Sequence, residues 1–334
     1  MVVGAAAWPR LPGLAGDPVT AQPQVNRSVS DAPTPGLCPV CAGILGQALA
    51  DIRDPQTGHP FDLFRCSQCE LGVTVPAPGD LTPYYGELYY GGRHGITQRH
   101  CLRRRMRILA RTAGDGPKGT LVDIGCGDGS FLLEAKRAGW AVLGTEMNER
   151  IPSPGLEIRP SIEALGTSAP FRCITLWHSL EHLKDPAGVL AELAGMLAPG
   201  GTLVLAVPDS RGWQARLFGR HWLHLDVPRH LYHFSLTGLH TALDRAGLEP
   251  TKVWHHEAEY DLFGWIQSAL NCVMPRPNIL FDGLTRRPRR VSRTLVAANT
   301  VLGGLLLLPA IIATVLSTCA GRGGTLVVAA RHPT

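Results

Sequence analysis

Three glycines at alternate positions, set between a short apolar run and a helical pattern, constrain the fold of this chain most strongly. Thr120–Ile124 is typical of a buried strand, the turn reads Gly125-Cys126-Gly127-Asp128-Gly129, and Ser130–Ala138 has helical spacing. Glycine lets the backbone approach a ligand closely, and the N-terminus of the next helix presents unpaired N–H groups. The segment therefore predicts a strand–turn–helix unit of an α/β domain, with a ligand lying against the turn.

The segments that follow alternate between strand and helix patterns. Strands are predicted at Ala141–Thr145, Arg172–Trp177, Thr202–Val207 and Thr251–Glu257, and helices at Ala187–Leu197 and from Ser235 to Ala246. This alternation predicts a mostly parallel sheet that binds its ligand at the carboxyl ends of the strands. Glu146 comes directly after the second strand, where a carboxylate can accept hydrogen bonds from the hydroxyls of a ribose.

Residues 122–129 resemble the first motif of the class I S-adenosylmethionine-dependent methyltransferases. Their G-x-G-x-G spacing differs from the G-x-G-x-x-G of dinucleotide-binding proteins. The resemblance implies a Rossmann-like α/β fold with a seven-stranded sheet, whose last strand, Thr325–Arg331, is antiparallel. It also implies S-adenosyl-L-methionine as the cofactor, held by Asp123, Gly125, Cys126, Gly127, Glu146, Trp177 and His178.

Four cysteines upstream of this unit have the spacing of a metal site. Cys38 and Cys41 form one C-x2-C pair, and Cys66 and Cys69 form another, with 24 residues between the pairs. Two such pairs can place four thiolates tetrahedrally around Zn²⁺, and a hairpin that turns at 54–58 suits the intervening segment. The spacing predicts a zinc ribbon with a structural metal, and rubredoxin-like iron is the alternative with the same ligands.

Histidines after the fifth strand are the predicted source of a catalytic base. Residues 221–235 hold four of the 13 histidines of the chain. The segment is similar to a Pro-Arg-His-x-x-His-Phe-Ser stretch of bacterial methyltransferases that also carry an N-terminal zinc ribbon. A neutral imidazole near pH 7 can remove a hydroxyl proton as a methyl group arrives. His230 is the first candidate for this base and His233 the second; the alternative is that both brace the following helix.

His178, Glu181 and His182 would share one face of a helical turn after the fourth strand. The pattern resembles the E-x-x-E-H of ubiquinone-pathway O-methyltransferases, in which the three side chains hold a divalent metal. Histidine in place of the first glutamate disfavours Mg²⁺, which prefers oxygen ligands. Lining of the pocket by His178 and His182 is therefore preferred to metal binding, and His178 is a third catalytic candidate.

The remaining segments complete the predicted domain organisation. The regions are a disordered tail (1–36), the zinc ribbon (37–75), a Tyr-rich linker with an Arg-rich helix (76–118), the methyltransferase domain (119–260), an apolar helical insert (261–324) and the last strand (325–334). The tyrosines of the linker are expected to pack between the two domains, with a lid over a ligand as the alternative. The six arginines of the helix predicted at Gln98–Thr112 are expected to be solvated.

The insert combines a basic segment with a long uncharged run. Five arginines lie between positions 286 and 293, and the 26 residues Leu295–Ala320 carry no charge. The run is long enough to cross a bilayer, but both ends of the insert return to one sheet, which excludes a single crossing. Two apolar helices, broken near Gly303-Gly304 or Pro309, are predicted. They are expected to touch a membrane surface through 286–320, with a cap on the site or a homodimer interface as alternatives.

The composition excludes some classes of protein. A hydrophobic fraction of 45% excludes a wholly disordered chain, and a net charge of +5 does not by itself indicate nucleic acid. The predicted function is methyl transfer from S-adenosylmethionine to a small-molecule, sugar or lipid-linked acceptor, at oxygen. The alternatives are an RNA ribose methyltransferase that grips phosphate with the ribbon and the Arg-rich helix, and a non-catalytic zinc-ribbon adaptor. The N-terminus does not have the pattern of a secretory signal, so a cytoplasmic location is expected.

Overall fold

The computed structural model describes residues 36–85, 97–113, 118–147, 155–284 and 291–333. Apart from Gly36, the predicted tail lies outside the described residues, as do Tyr89 and Tyr90 of the linker and the arginines between 286 and 290. Within the described ranges the strands are β1 (Leu45–Arg53), β2 (Pro60–Cys66), β3 (Gly72–Val75), β4 (Thr120–Ile124), β5 (Ala141–Thr145), β6 (Ile158–Arg159), β7 (Phe171–Trp177), β8 (Leu197–Pro208), β9 (Tyr232–His233), β10 (Glu249–Trp254) and β11 (Thr325–Arg331). The α-helices are α1 (Gln98–Thr112), α2 (Ser130–Arg137), α3 (Pro186–Gly195), α4 (Trp213–Phe218), α5 (Leu236–Arg245), α6 (Ala258–Val273), α7 (Ile279–Leu284), α8 (Arg293–Leu305) and α9 (Leu307–Cys319).

The larger sheet has the topology that the alternating pattern predicts. Its seven strands follow the order β10-β11-β8-β7-β4-β5-β6. Neighbours from β8 to β6 are parallel, while β11 runs antiparallel to β8 and β10. Most side chains on both faces of the central strands are buried, which is why these strands are mainly apolar and do not alternate between apolar and polar residues. The Rossmann-like fold with an antiparallel last strand is confirmed.

The smaller sheet joins the zinc ribbon to the larger domain. It is antiparallel, in the order β1-β2-β3-β9, and its fourth strand comes from the His-rich segment. Gly72 pairs with His233 and Val73 with Tyr232, so the ribbon is completed by residues more than 150 positions downstream. A side chain at Gly72 would meet the His233 Cβ at 2.9 Å, so the close approach of the two strands depends on glycine. The predicted hairpin of β1 and β2 is present.

The insert between β10 and β11 is helical but is not a simple pair of helices. Its described residues form α6 to α9, and α6 already begins at Ala258. The break between α8 and α9 falls at Leu306, where the helices bend by 51° instead of reversing as a hairpin. No single helix of the described residues is long and apolar enough to span a membrane, although α8 and α9 together reach that length and hydropathy.

Helix α1 has the predicted bounds but not the predicted surroundings. The expectation that its arginines are solvated is wrong for Arg104 and Arg105, which are buried. Arg104 donates to the carbonyl of His256, and Arg105 forms an ion pair with Glu257 at 3.1 Å. Both partners lie just before α6. The spacing of the arginines along α1 gave no indication of these contacts.

Candidate functional site

The glycine turn after β4 leaves open space over its backbone. Gly125, Gly127 and Gly129 have φ angles of +70°, +56° and +72°, which L side chains rarely adopt. A Cβ at Gly127 would meet no atom of the described residues within 4 Å, whereas one at Gly125 would meet the Ser179 Cβ at 2.9 Å. The backbone at Gly127 is therefore accessible to a ligand, and the backbone at Gly125 is packed from behind by the protein.

Two carboxylates flank this turn and have different surroundings. The Glu146 Oε2 accepts the backbone N–H of Gly127 at 3.0 Å, so this carboxylate lies against the open part of the turn. Asp123 is buried within the sheet and accepts a hydrogen bond of 2.6 Å from Thr175. Burial raises the Asp123 pKa to about 7. Glu146 thus has the position expected of a ribose-binding acid, and Asp123 ties β4 to β7.

Two further residues assigned to the cofactor, Trp177 and Cys126, pack beside the turn. Trp177 at the end of β7 packs edge-on against Phe131, and its buried indole Nε1 has no hydrogen-bond partner among the described residues. The thiol of Cys126 is buried, and burial raises its pKa, so the sulfur is not reactive. This residue contributes its backbone to the turn. An open glycine backbone, an adjacent carboxylate and an unpaired indole N–H together fit a nucleoside-containing cofactor.

His178 directly follows β7, and only 10% of its side chain is exposed. Its φ of +56° is strained for a non-glycine residue, a feature that clusters at functional sites. Its Nε2 lies 2.7 Å from Glu257 Oε2, and its ring stacks on Tyr260 with centroids 4.1 Å apart. Burial disfavours the imidazolium, but Glu181 and Glu257 outweigh it and raise the His178 pKa to about 9. His178 therefore carries a proton at neutral pH.

Glu257 is a central residue that the sequence did not single out. It bridges the Arg105 guanidinium and the His178 imidazolium, and only 1% of its side chain is exposed. Burial opposes its ionisation, yet the neighbouring cations hold its pKa well below the usual range. Arg105 also lies over the Trp177 ring, 4.8 Å from the centroid. Since Arg105 and Glu257 are 152 positions apart, only the folded chain shows the pairing.

His230 is held in the orientation that a general base needs. Its Nδ1 lies 2.8 Å from the carbonyl oxygen of His224, which fixes the hydrogen on Nδ1 and leaves the lone pair of the neutral ring on Nε2. That Nε2 lies 4.0 Å from Glu181 Oε1. Burial opposes ionisation of Glu181, but His178, His182 and His230 outweigh it and lower its pKa to about 2. The ionised carboxylate can stabilise a proton on His230.

Glu181, His182 and His230 also form a set of possible metal donors. Their ligand atoms lie within 4.8 Å of one another. The Nδ1 of His182 contacts the Arg229 carbonyl at 2.8 Å, and within the described ranges neither oxygen of Glu181 has a hydrogen-bond partner. His178 is turned to Glu257 and is not part of this set. In the folded chain His230 therefore takes the place of His178 in the set of donors that the sequence pattern indicated.

His233 and Arg229 connect the site to the zinc ribbon. The Nε2 of His233 lies 2.9 Å from Thr74 Oγ1, which also donates to the carbonyl of His230 at 2.8 Å. Burial holds the His233 pKa well below its usual range. Arg229 is fully buried and pairs with Asp54 in the ribbon turn at 2.9 Å. His233 thus lies in the interface with the ribbon, and the Asp54–Arg229 pair is a contact that no local pattern predicts.

The described tyrosines of the linker have different roles. Tyr84 is buried and packs edge-on against His59 and Phe61 of the ribbon, in agreement with the packing interpretation. The Tyr85 hydroxyl lies 3.1 Å from His182 Nδ1, so this side chain reaches the site.

The four predicted zinc ligands converge at one end of the ribbon. Their sulfur atoms lie within 4.8 Å of one another, with Cys38 and Cys69 at 3.6 Å and Cys41 and Cys66 at 3.3 Å. Tetrahedral zinc with Zn–S bonds of about 2.3 Å needs sulfurs about 3.8 Å apart. The cluster therefore fits structural zinc. With four protein ligands such a site is closed and leaves no position for a substrate.

Cys66→Ser is expected to remove the bound metal and to destabilise the whole chain. Binding of metal to the folded ribbon contributes directly to folding, so we expect a loss of at least about 3 kcal/mol in the free energy of unfolding. Elemental analysis and urea denaturation measure the two effects. The exposed Cys272 supplies the control variant Cys272→Ser, which should retain one zinc per chain. A full zinc content in Cys66→Ser would contradict the ligand assignment.

Part of the chain is similar to known methyltransferases. Residues 94–253 match the family model of a methyltransferase domain. The ubiquinone biosynthesis O-methyltransferase of Methylococcus capsulatus is 30% identical over 147 residues, which are 40% of this chain and 61% of that protein. The one from Caulobacter sp. strain K31 is 33% identical over 121 residues, or 30% of this chain and 48% of the relative. The chain thus spans roughly half of each of these relatives.

Solved structures with a similar arrangement include a SAM-dependent methyltransferase from Archaeoglobus fulgidus. The two chains share 17% of their residues and superpose with a TM-score of 0.44 over 75% of this chain and 99% of that one.

Proposed function

Because residues 94–253 form a class I S-adenosylmethionine-dependent methyltransferase domain, we propose that this chain methylates a hydroxyl group on a small-molecule, sugar or lipid-linked acceptor. The observation that carries the proposal is His230, whose Nε2 lone pair is oriented by the His224 carbonyl and lies beside the ionised Glu181. The names of the relatives, which are O-methyltransferases, support oxygen as the methyl acceptor.

Binding of the cofactor is assigned to the glycine turn and its neighbours. The backbone at Gly127 and the carboxylate of Glu146 would hold the nucleoside part, and Trp177 would bound the pocket. When bound, S-adenosylmethionine supplies an electrophilic methyl group on a sulfonium. The protein adds positioning, because alignment of the acceptor oxygen with the methyl carbon converts a bimolecular step into an effectively unimolecular one.

His230 would remove the acceptor proton during transfer. As the methyl group passes from the sulfonium to the acceptor oxygen, the hydroxyl proton would pass to His230 Nε2. Glu181 stabilises the resulting imidazolium at a separation of 4.0 Å. His178 is already protonated and is assigned to fix Glu181 and Glu257 rather than to accept a proton. His233, the second candidate, is less suited because its Nε2 faces Thr74.

His230→Ala is expected to lower turnover about 100- to 1,000-fold, the usual contribution of a general base. Affinity for S-adenosylhomocysteine should be unchanged, because His230 lies outside the glycine turn. The assay is transfer of labelled methyl to metabolite, lipid and RNA fractions of the native host, followed by mass spectrometry. His221→Ala alters an exposed histidine of the same segment and is the matched control.

Three outcomes of this assay would contradict parts of the proposal. Labelling of RNA alone would favour the ribose methyltransferase, and tight cofactor binding with no labelled fraction would favour the non-catalytic adaptor. If a chelator abolished activity while the ribbon kept its zinc, the result would indicate a metal held by Glu181, His182 and His230 in place of the proposed base. A homodimer and a cytoplasmic location stay predictions.

A further inference from the structure

The outward faces of α8 and α9 are covered by large apolar side chains. Six of them are more than half exposed: Val301, Leu305, Leu308, Ile312, Val315 and Leu316. They recur every three or four residues, apart from the adjacent pair at the end, and therefore form one stripe along both helices. We call this stripe the apolar face. Exposed patches of this kind mark binding surfaces, whereas single exposed apolar residues are ordinary.

The inward faces of the same helices are made of small or polar residues. Asn299, Gly303, Ala310 and Ser317 are buried. Ala310 packs against Ile266 and Leu270 of α6, and a Cβ at Gly303 would lie 2.9 Å from Leu280. A surface helix in water places its apolar residues toward the core and its polar residues outward. The order in α8 and α9 is reversed, which is the arrangement expected of helices whose outer surroundings are apolar.

The insert that carries the apolar face has a strongly positive formal charge. The insert 261–324 holds seven arginines and two aspartates, so its formal charge of +5 equals that of the whole chain. Arg293 and Arg322 lie at the two ends of the α8–α9 pair, and both are exposed. Long arginine side chains at the edges of an apolar surface can reach lipid headgroups while the surface itself contacts acyl chains.

We propose that the apolar face is a docking surface for an anionic membrane, on which α8 and α9 lie in the plane of one leaflet. The 51° bend and the return of β11 to the sheet suit two helices lying on a surface rather than crossing it. A second copy fits less well, since a symmetric contact would bring two positively charged inserts together. The inference goes beyond the methyl transfer proposed above and depends on no catalytic residue.

The docking surface lies one helix away from the candidate site. Helix α6 packs against α9, while its first turn carries Tyr260, which stacks on His178. A membrane at the apolar face would therefore bring the site near the interface, where amphiphilic acceptors with a hydroxyl headgroup are concentrated.

Flotation of the purified full-length protein with lipid vesicles tests the proposal. Vesicles with one quarter phosphatidylglycerol should bind it at least about tenfold better than pure phosphatidylcholine, with the preference falling as salt rises. The triple variant Leu305→Ser/Leu308→Ser/Ile312→Ser should lose at least about tenfold in partitioning, because three apolar side chains no longer enter the interface.

Matched controls separate docking from folding. Leu37, Ile44 and Leu217 are also more than half exposed but lie outside the insert, so their triple serine variant should bind vesicles like the wild type. Unchanged melting temperature and S-adenosylhomocysteine affinity would show that both variants are folded. Equal vesicle binding by the wild type and the α8–α9 variant would overturn the proposal. The proposal would also be overturned if the wild type were a dimer that does not bind vesicles and the α8–α9 variant were a monomer.

Discussion

Gly127→Arg is expected to raise the dissociation constant for S-adenosylhomocysteine at least about 100-fold, because an arginine there would occupy the space assigned to the cofactor. The position has a φ of +56°, and no atom of the described residues lies within 4 Å of a Cβ built on it. The new side chain would extend into the open region and not into the core. The fold should therefore tolerate the change at a backbone cost of about 1–2 kcal/mol. Isothermal titration measures the affinity.

Gly247→Arg is the matched control for this prediction. Gly247 has a φ of +71°, is exposed, and also has open space where a Cβ would be, but it lies at the end of α5. Its arginine variant should be destabilised by a similar amount through backbone strain and should bind S-adenosylhomocysteine like the wild type. Glu146→Ala should weaken binding by a smaller factor of about 10–100, as expected for loss of a charged hydrogen-bond acceptor. Normal binding by Gly127→Arg would show that the cofactor lies elsewhere.

Glu257→Gln is expected to lower the free energy of unfolding by about 3–5 kcal/mol at pH 6.5, the usual result of breaking a buried ion pair. The change leaves the buried Arg105 without its counterion and removes one of the two carboxylates that hold the proton on His178, the other being Glu181. Urea denaturation measures the loss. Glu249→Gln, at an exposed position of β10, is the control and should change stability little.

The stability should also depend on pH in a defined direction. The His178 pKa is raised to about 9, so its favourable contribution is complete below about 6.5 and is lost as pH rises through 9. The wild type should lose on the order of 3 kcal/mol over this interval through His178. In Glu257→Gln the free energy of unfolding should depend less on pH over this interval. The difference in stability between the two proteins should therefore be smaller at pH 9.5 than at pH 6.5. An equal difference at both values would exclude His178 as its source.

Local patterns accounted for the elements that carry the cofactor site. The bounds of α1, β4, β5 and β11 agree with the sequence prediction because each is a periodic segment between clear turn residues. The positive φ angles of Gly125, Gly127 and Gly129 follow from the alternate glycines. The two C-x2-C pairs placed four sulfurs together for the same reason: each pair is a local turn, and one hairpin joins them.

Contacts between distant segments account for what the sequence did not predict. Arg105 pairs with Glu257 across 152 positions, and Arg229 pairs with Asp54 across 175. Neither pairing changes the spacing of apolar and polar residues near its two members, so neither can be predicted from the periodicity of the sequence. The expectation of solvated arginines on α1 was wrong for Arg104 and Arg105 for this reason. The donor set of Glu181, His182 and His230 likewise depends on the path of the chain after β8.

The pairing of β3 with β9 means that the zinc ribbon is not a separable module. A chain that began at residue 76 would lose three of the four strands of the smaller sheet, and β9 would be left as an unpaired edge. The Cys69 carbonyl, which accepts a hydrogen bond from Ser235 at the start of α5, would be lost with them. Domain shuffling could therefore neither add the ribbon to a finished enzyme nor remove it without cost. A ribbon taken from another protein would therefore have to match the histidine segment 221–235, with which it shares a sheet.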